Sequence, residues 1–471
     1  IPIGRLLYLL DAPKDRPIVS GGRGIGEPRV QAEGERLVYR WEAADLPALR
    51  EEPDMPGYLE VGRYLSVSTY GTWQELARWY AELIRPQLVL EAEDAALVRR
   101  ITAGQRSEPE KIRAVHAWVL RHTRYVGIEF GIHGFKPYPA SRILRRGYGD
   151  CKDKAALIVT MLAELGIEAR LALVRTIDRG RLPPQPPTLW GFNHAIVHVP
   201  GHDLWLDGTA EYSGSTELPY HDQGATTLVI DHRRSSGELG ETPVLPAAVN
   251  CWTTAVQGEL AEDGSLQLTV REQVSGQGAA RLRREYQDPA LRRSRLEKML
   301  ALRFPGIQVQ KADVERISEL DVPPTLTFSA RLPHVLRQQE DGPVVPLAIF
   351  PSKLAPQLAP ASSREHELVL DYPWSEQGEV VLGLPAGLQL AEGAPVTARA
   401  VSRFGEYRIS AEAEATGRLV VTSALTLPTR RIPPADYQEF RRFLLEIDQI
   451  ESRLLRLRGP QQPPAGEEAR R

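Results

Sequence analysis

Apolar residues recur along this chain with two periods, and the changes between them mark out its parts. Gly34-Glu35-Arg36-Leu37-Val38-Tyr39-Arg40-Trp41 alternates with a period near two between Pro- and Gly-rich stretches, so residues 1 to about 70 read as strands and turns. From Thr72 the period lengthens. Thr72 can cap a helix over Trp73–Ile84 that Pro86 stops, and a second helix fits Glu91 to about Ala103 before Gly104. Ser107 and Glu110 form a capping box ahead of Ile112, Val115, Val119 and Leu120, whose helix ends near Arg124. Asp150 then caps a helix that starts at Cys151, runs through Ala156-Leu157-Ile158-Val159-Thr160-Met161-Leu162 and stops at Gly166. Period-two runs follow at 169–175 and 194–199, and the Pro200-Gly201 turn leads into a third at 204–208. Helices before strands predict an α+β domain over 71–245, a helix packed on an antiparallel sheet.

Beyond about 245, short strands are expected at 253–260, 267–274, 325–332, 366–370 and 407–411, with one helix over about 289–303. That spacing predicts a β-rich, sandwich-like module over 246–430. Phe440, Phe443, Leu444, Ile447 and Ile450 give residues 436–457 a helical period, so 431–458 read as a C-terminal helix. The Pro-, Gln-, Glu- and Arg-rich tail 459–471 is expected to be disordered. No internal repeat is apparent.

Composition narrows the function classes. The chain has 471 residues, of which 42% are hydrophobic and 25% charged, which suits a globular protein of about three domains. Its 58 basic and 61 acidic residues nearly balance, leaving no basic footprint for nucleic acid. Two cysteines, Cys151 and Cys251, are too few for a disulfide framework. No apolar run is long enough to predict a membrane span. The opening Ile1–Leu10 lacks the features of a signal peptide, and the chain begins without methionine, so it is read as a processed or truncated product. The glycine run 21–26 invites a phosphate-loop reading, but no Lys-Ser/Thr follows it and a strand comes next, so a hairpin turn is expected.

The candidate chemistry gathers around Cys151. The start of a helix carries partial positive charge, an environment that favours the nucleophilic thiolate form of a cysteine. Acyl transfer by cysteine also needs a base and a group to orient it. His194 lies 43 residues after Cys151 on a predicted strand, and Asp207 lies 13 residues further, near the end of the next strand. Adjacent antiparallel strands can bring these two together. Taken singly, each has a plain reading as a core cysteine, a structural histidine and a turn aspartate. Together, in the right elements, they favour a catalytic set. His194, His198 and His202 offer a zinc alternative, but a four-residue step along a strand separates ligands by roughly 13 Å. Asp150, Lys152, Asp153 and Lys154 read as a cap with a solvated helix face.

Three blocks carry a resemblance: Gly149-Asp150-Cys151-Lys152-Asp153-Lys154-Ala155, Phe192-Asn193-His194-Ala195 and Trp205-Leu206-Asp207-Gly208-Thr209-Ala210. They resemble the signature blocks of bacterial transglutaminase-like proteins, a papain-like thiol superfamily, and Arg124-Tyr125-Val126-Gly127-Ile128 is similar as well. Residues 1–70 look like the end of the β-rich module that commonly precedes this domain. Residues 258–266 and 432–437 look like the β module that follows it.

The resemblance implies Cys151 as nucleophile, His194 as base and Asp207 as orienting acid. The family more often has proline where this chain has Gly208. The Cys151 backbone N–H is the natural oxyanion donor, with Tyr125 and Asn193 as lesser support candidates. The resemblance implies an enzyme that cleaves or transfers an amide acyl group of a peptide or protein. A catalytically silent cell-envelope scaffold is the alternative, and deglycosylation of glycoproteins a third reading. No cofactor is expected, and without a calcium-loop pattern no metal is either. A periplasmic or extracellular site is the family-level expectation.

Overall fold

The computed structural model describes residues 1–127, 129–391, 396–414 and 417–459; the expected disordered tail falls, after Gly459, outside them. The chain divides into two units, residues 1–244 with 366–371, and residues 245–365 with 372–471. No helix among the described residues is long and apolar enough to cross a membrane.

In the first unit the helical stretch becomes α1 (Trp73–Ile84), α2 (Ala92–Ile101), α3 (Glu108–His122), α4 (Ala140–Arg146) and α5 (Cys151–Glu164). Thr72, Ser107 and Asp150 cap α1, α3 and α5, each completing a reciprocal box with the acidic residue three positions on. Strands β1 (Arg170–Arg175), β2 (His194–Val199), β3 (Leu204–Leu206), β4 (Thr226–Asp231) and β5 (Ser236–Glu241) form a sheet in the order β3-β2-β1-β4-β5. Each neighbouring pair is antiparallel. Helix α5 is the hub. Residues 152–162 are all buried, and Leu157, Ile158, Met161 and Leu162 share one core with Ile112, Val115, Leu171, Ala195, Val197 and Leu228. A helix buried all round needs apolar residues on every face, which its nearly unbroken run supplies.

The start of α5 departs from the solvated face expected. Asp153 and Lys154 are fully buried, and Lys152 is only 5% exposed. Each charge is instead matched inside the protein: Lys152 pairs with Asp150, Arg146 with Asp153, and Lys154 Nζ donates to the Thr123 carbonyl. Burial pushes the Lys154 amine down from its ordinary value, against the pull of Glu211 and Asp207. Lys154→Ala removes a buried stem and the Thr123 carbonyl's donor, and is expected to cost about 2–5 kcal/mol. Urea unfolding checks this: the midpoint drops while the slope is unchanged.

The amino-terminal part is β-structured as expected. Ile3–Pro13, Arg36–Leu46 and Arg29–Glu33 form a three-stranded sheet with the middle strand central. The glycine run is not a hairpin turn. Val19–Arg23 is a strand paired with Tyr64–Ser68, and a Cβ on Gly22 would lie 2.3 Å from the Tyr64 carbonyl oxygen. Glycine is required there so that the two backbones can approach.

The second unit holds an eight-stranded sheet that runs, in order, through residues 308–315, 325–332, 266–274, 251–260, 374–383, 418–427, 405–413 and 396–402. Its parallel pair is Cys251–Leu260 with Trp374–Gly383. Buried and exposed residues alternate along Leu266–Val274, as a strand covered on one face requires. At 366–370 the strand is confined to Leu368–Val369. A helix not expected, Gln277–Glu285, precedes the one expected at 289–303, which is Arg292–Ala301. The first was hidden by its composition, since one glycine and four charges leave only Ala279, Ala280 and Leu282 as apolar residues. The C-terminal helix Tyr437–Glu451 stops before Leu454–Arg458, which is a strand paired with Gly342–Pro346. Leu455 and Leu457 are buried with a period of two, and their partner strand lies more than a hundred residues upstream.

Candidate active site

Cys151 is the first residue of α5, and three short-range features place it there. The Asp150 carboxylate accepts from the Asp153 N–H at 3.2 Å, and Asp153 returns the contact to the Asp150 N–H at 3.4 Å. Asp153 also accepts from the Tyr138 N–H at 2.8 Å and pairs with Arg146, which donates to the Tyr148 carbonyl at 2.6 Å. Burial, then the neighbouring Asp150 charge, pushes the Asp153 carboxyl up, and Tyr138, Arg146 and Lys152 oppose them. Finally, Gly149 lies so close to Asp153 that a Cβ would meet the aspartate Cβ at 2.6 Å.

His194 opens β2, and the register explains its meeting with Asp207. Leu206 pairs with Val197, so the next residue, Asp207, continues opposite Ile196. Ile196 shares the face of His194, two residues away, which makes Asp207 a diagonal neighbour of the histidine. His194 Nε2 lies 3.3 Å from Asp207 Oδ2. Asp207 is held in turn: its Oδ1 accepts from the Thr209 N–H at 2.7 Å and the Thr209 hydroxyl at 2.8 Å, and its carbonyl oxygen is 3.0 Å from His116 Nε2. With Nε2 turned to Asp207, Nδ1 is the nitrogen left for Cys151, whose proximity helps to raise the imidazole.

The electrostatics follow from burial against charge. Burial disfavours the charged imidazole, but Asp207, the Cys151 contact and Asp222 together hold His194 well above its ordinary value. Burial likewise opposes ionisation of Asp207. The His194 charge and the Thr209 donors outweigh it and bring the carboxyl down to about 2. The pair is therefore a carboxylate beside an imidazolium.

Tyr125 is half exposed, and its strand Arg124–Tyr125 runs parallel to Tyr148–Gly149, just before Cys151. Burial, with the Cys151 and Asp150 charges, raises its phenol to about 12, so it is a neutral donor beside the cysteine. Asn193 is engaged elsewhere. Its side chain accepts from the Thr176 N–H at 3.0 Å and donates to the Thr176 hydroxyl at 2.8 Å, tying the start of β2 to the end of β1. Gly208 sits against α5, where an added Cβ would lie 3.0 Å from Ile158 Cδ1 and 3.2 Å from Lys154 Cβ.

Asp222 was missed by sequence reasoning. It ends the 3-10 turn Tyr220–Asp222, is 1% exposed, and its Oδ2 lies 4.0 Å from His194 Nε2. Asp207–Thr209 did carry a signal, since an aspartate two residues before a threonine N–H forms an Asx-type turn. Asp222 carried none, being one of many aspartates in a loop.

The histidine triplet does not converge. His202 Nε2 is 2.7 Å from Glu108 Oε2, and His198 stacks on Trp205 with ring centroids 4.3 Å apart. Among the described residues, ligand atoms of His194, Asp207 and Asp222 lie within 4.8 Å of one another. Three ligands are fewer than a closed structural zinc site provides and equal the number an open catalytic site takes from the protein.

A family model of the transglutaminase-like superfamily matches residues 95–208, and one for a domain of unknown function with a solved structure, DUF3858, matches residues 344–457. A crystal structure of a protein named as a putative protease from Parabacteroides distasonis matches with a TM-score of 0.64 at 16% identity, over 97% of this chain and 72% of that one. A structure named as a putative cysteine protease from Cytophaga hutchinsonii matches 44% of this chain and 66% of that one, at 15% identity and a TM-score of 0.20. No curated protein matches.

Proposed function

We propose that this chain, whose residues 95–208 match the transglutaminase-like superfamily and are flanked by β-rich regions, is a cysteine enzyme that cleaves or transfers the acyl group of an amide in a peptide or protein. One observation carries the reading. Cys151 stands at the positive end of a buried helix, and it and Asp207, which lies 3.3 Å from His194 Nε2, both act to raise the His194 imidazole.

In this reading the Cys151 thiolate attacks the amide carbonyl carbon, and the carbonyl π pair moves onto oxygen. The oxyanion is met by the Cys151 backbone N–H, which has no partner inside the helix, with the Tyr125 phenol as a second candidate donor. The C–N bond then breaks, and the His194 imidazolium gives its proton to the leaving amine. An acyl-thioester remains on Cys151. Neutral His194 takes a proton from water, giving hydrolysis, or from a second amine, giving transfer. Asp207 keeps its charge throughout and favours the imidazolium that each step passes through.

The test is limiting iodoacetamide from about pH 5 to about pH 9, with peptide mass spectrometry of both cysteines. Cys251 is the internal control, since its sulfur lies 3.8 Å from the Thr253 hydroxyl. Selective alkylation of Cys151 that is lost in His194→Ala supports the enzyme. Equal reaction of the two cysteines, or no reaction of Cys151, would favour the catalytically silent scaffold.

A further inference from the structure

We propose that Asp222 is a positioning residue of this site, a protonated carboxylic acid whose O–H donates to Asp207 and holds it against His194. The inference rests on the cysteine-enzyme reading. Two carboxyl groups and one imidazole lie within 4.8 Å of one another, and one imidazolium neutralises only one carboxylate.

The surroundings decide which carboxyl keeps the proton. Asp207 has donors for its ionised form, the Thr209 N–H and hydroxyl, besides the closer approach of His194 at 3.3 Å. Asp222 has no such support: its Oδ2 is buried, lacks a hydrogen-bond donor and stands 4.0 Å from His194 Nε2. An ionised oxygen in that setting is costly, whereas a protonated one can donate to the Asp207 carboxylate beside it.

The groups facing Asp222 are His194 from β2, Asp207 beyond β3, and Asp178 from the turn Ile177–Arg179. Burial, then the Asp207 charge and hydrogen bond and the Asp178 charge, push the Asp222 carboxyl up to about 8, against the opposing pull of His194. The backbone is pinned for the task. The Asp222 N–H donates to the Pro219 carbonyl at 2.9 Å, and the Asp222 carbonyl accepts from the Thr242 hydroxyl. The buried Gln223 side chain donates to the Leu218 carbonyl at 2.6 Å.

The role predicts that an amide, which is neutral and a donor, replaces the acid better than a methyl does. In the alkylation assay Asp222→Ala is expected to lower the rate at Cys151 by about 10- to 100-fold, as loss of a supporting hydrogen bond does elsewhere. Asp222→Asn is expected to recover most of that loss. An asparagine as impaired as alanine in a folded protein would overturn the proposal, since the site would then need an ionised carboxylate. A wild-type rate at Cys151 that changes when EDTA strips bound metal would overturn it in favour of a metal cluster. An unimpaired alanine variant makes Asp222 a bystander and also overturns it.

A second measurement needs no reactive cysteine. A carboxyl with a raised folded value contributes stability that is full below its unfolded value of about 3.9 and is lost as pH rises through its folded value of about 8. Between these limits the Tm of the wild-type protein is expected to fall relative to that of Asp222→Asn. His194, also raised, changes stability with the same sign but is common to both proteins. Parallel Tm curves would overturn the proton on Asp222 even if Cys151 proves to be the nucleophile. Diverging curves with an unreactive Cys151 would sink the enzyme reading and leave Asp222 a neutral acid without a catalytic site to position. If the alanine variant does not fold, the asparagine comparison stands alone.

Discussion

Cys151→Ala is expected to lose turnover by a factor on the order of 10⁴ or more while keeping its fold. The change removes a single sulfur from a residue that is not fully buried. The start of α5 does not depend on that sulfur, because its capping box is built from Asp150 and Asp153. The unfolding free energy from urea titration should therefore stay within about 1 kcal/mol of wild type, while kcat falls to the background of the assay. Surviving turnover would place the nucleophile elsewhere. Cys251 is a poor substitute: it lies on a strand in the other unit, with a threonine hydroxyl as its polar neighbour.

The second large effect is a ranking. His194→Ala should cost turnover about as much as the cysteine change, whereas Asp207→Ala should cost about 10- to 100-fold less, because orienting a base is a smaller task than being one. A pH signature accompanies it. The Asp207 charge is the chief influence raising His194, and turnover needs the imidazolium as general acid. Activity is thus expected to decline as pH rises through the raised His194 value. In Asp207→Ala that decline should begin at lower pH, since the imidazolium has lost its main support. Thr209 and His116 can hold what remains of the loop but supply no negative charge. An unmoved alkaline limb, or a larger loss at Asp207 than at His194, would mean that the two roles are misassigned.

How legible was this in the sequence? Local rules carried far where the determining contacts are local. The capping boxes at Thr72, Ser107 and Asp150 lie within four residues of the helices they start, and each helix begins where its box places it. The same holds for the Pro200-Gly201 turn, which joins β2 to β3 and brings Asp207 back beside His194. Local rules failed at Gly22, whose reason is the Tyr64 backbone opposite, and at Leu454–Arg458, whose strand partner is distant in the chain. They also misjudged Lys152, Asp153 and Lys154. Charge at the start of a helix predicts solvent, and only the packing of Arg146, Thr123 and Asp150 around them allows their burial.

The sequence by itself determined the helix that presents Cys151, the strand that carries His194 and the turn that returns Asp207, because period, cap and turn chemistry act over a few residues. Tertiary structure alone decided the order of the five strands, the partners of the buried charges and the arrival of Asp222 beside the histidine. Asp222 comes from a loop 28 residues beyond His194 with no periodic signal. Its protonation is a collective property of two carboxyls, one imidazole and the exclusion of water, and none of these is a feature of its neighbours along the chain.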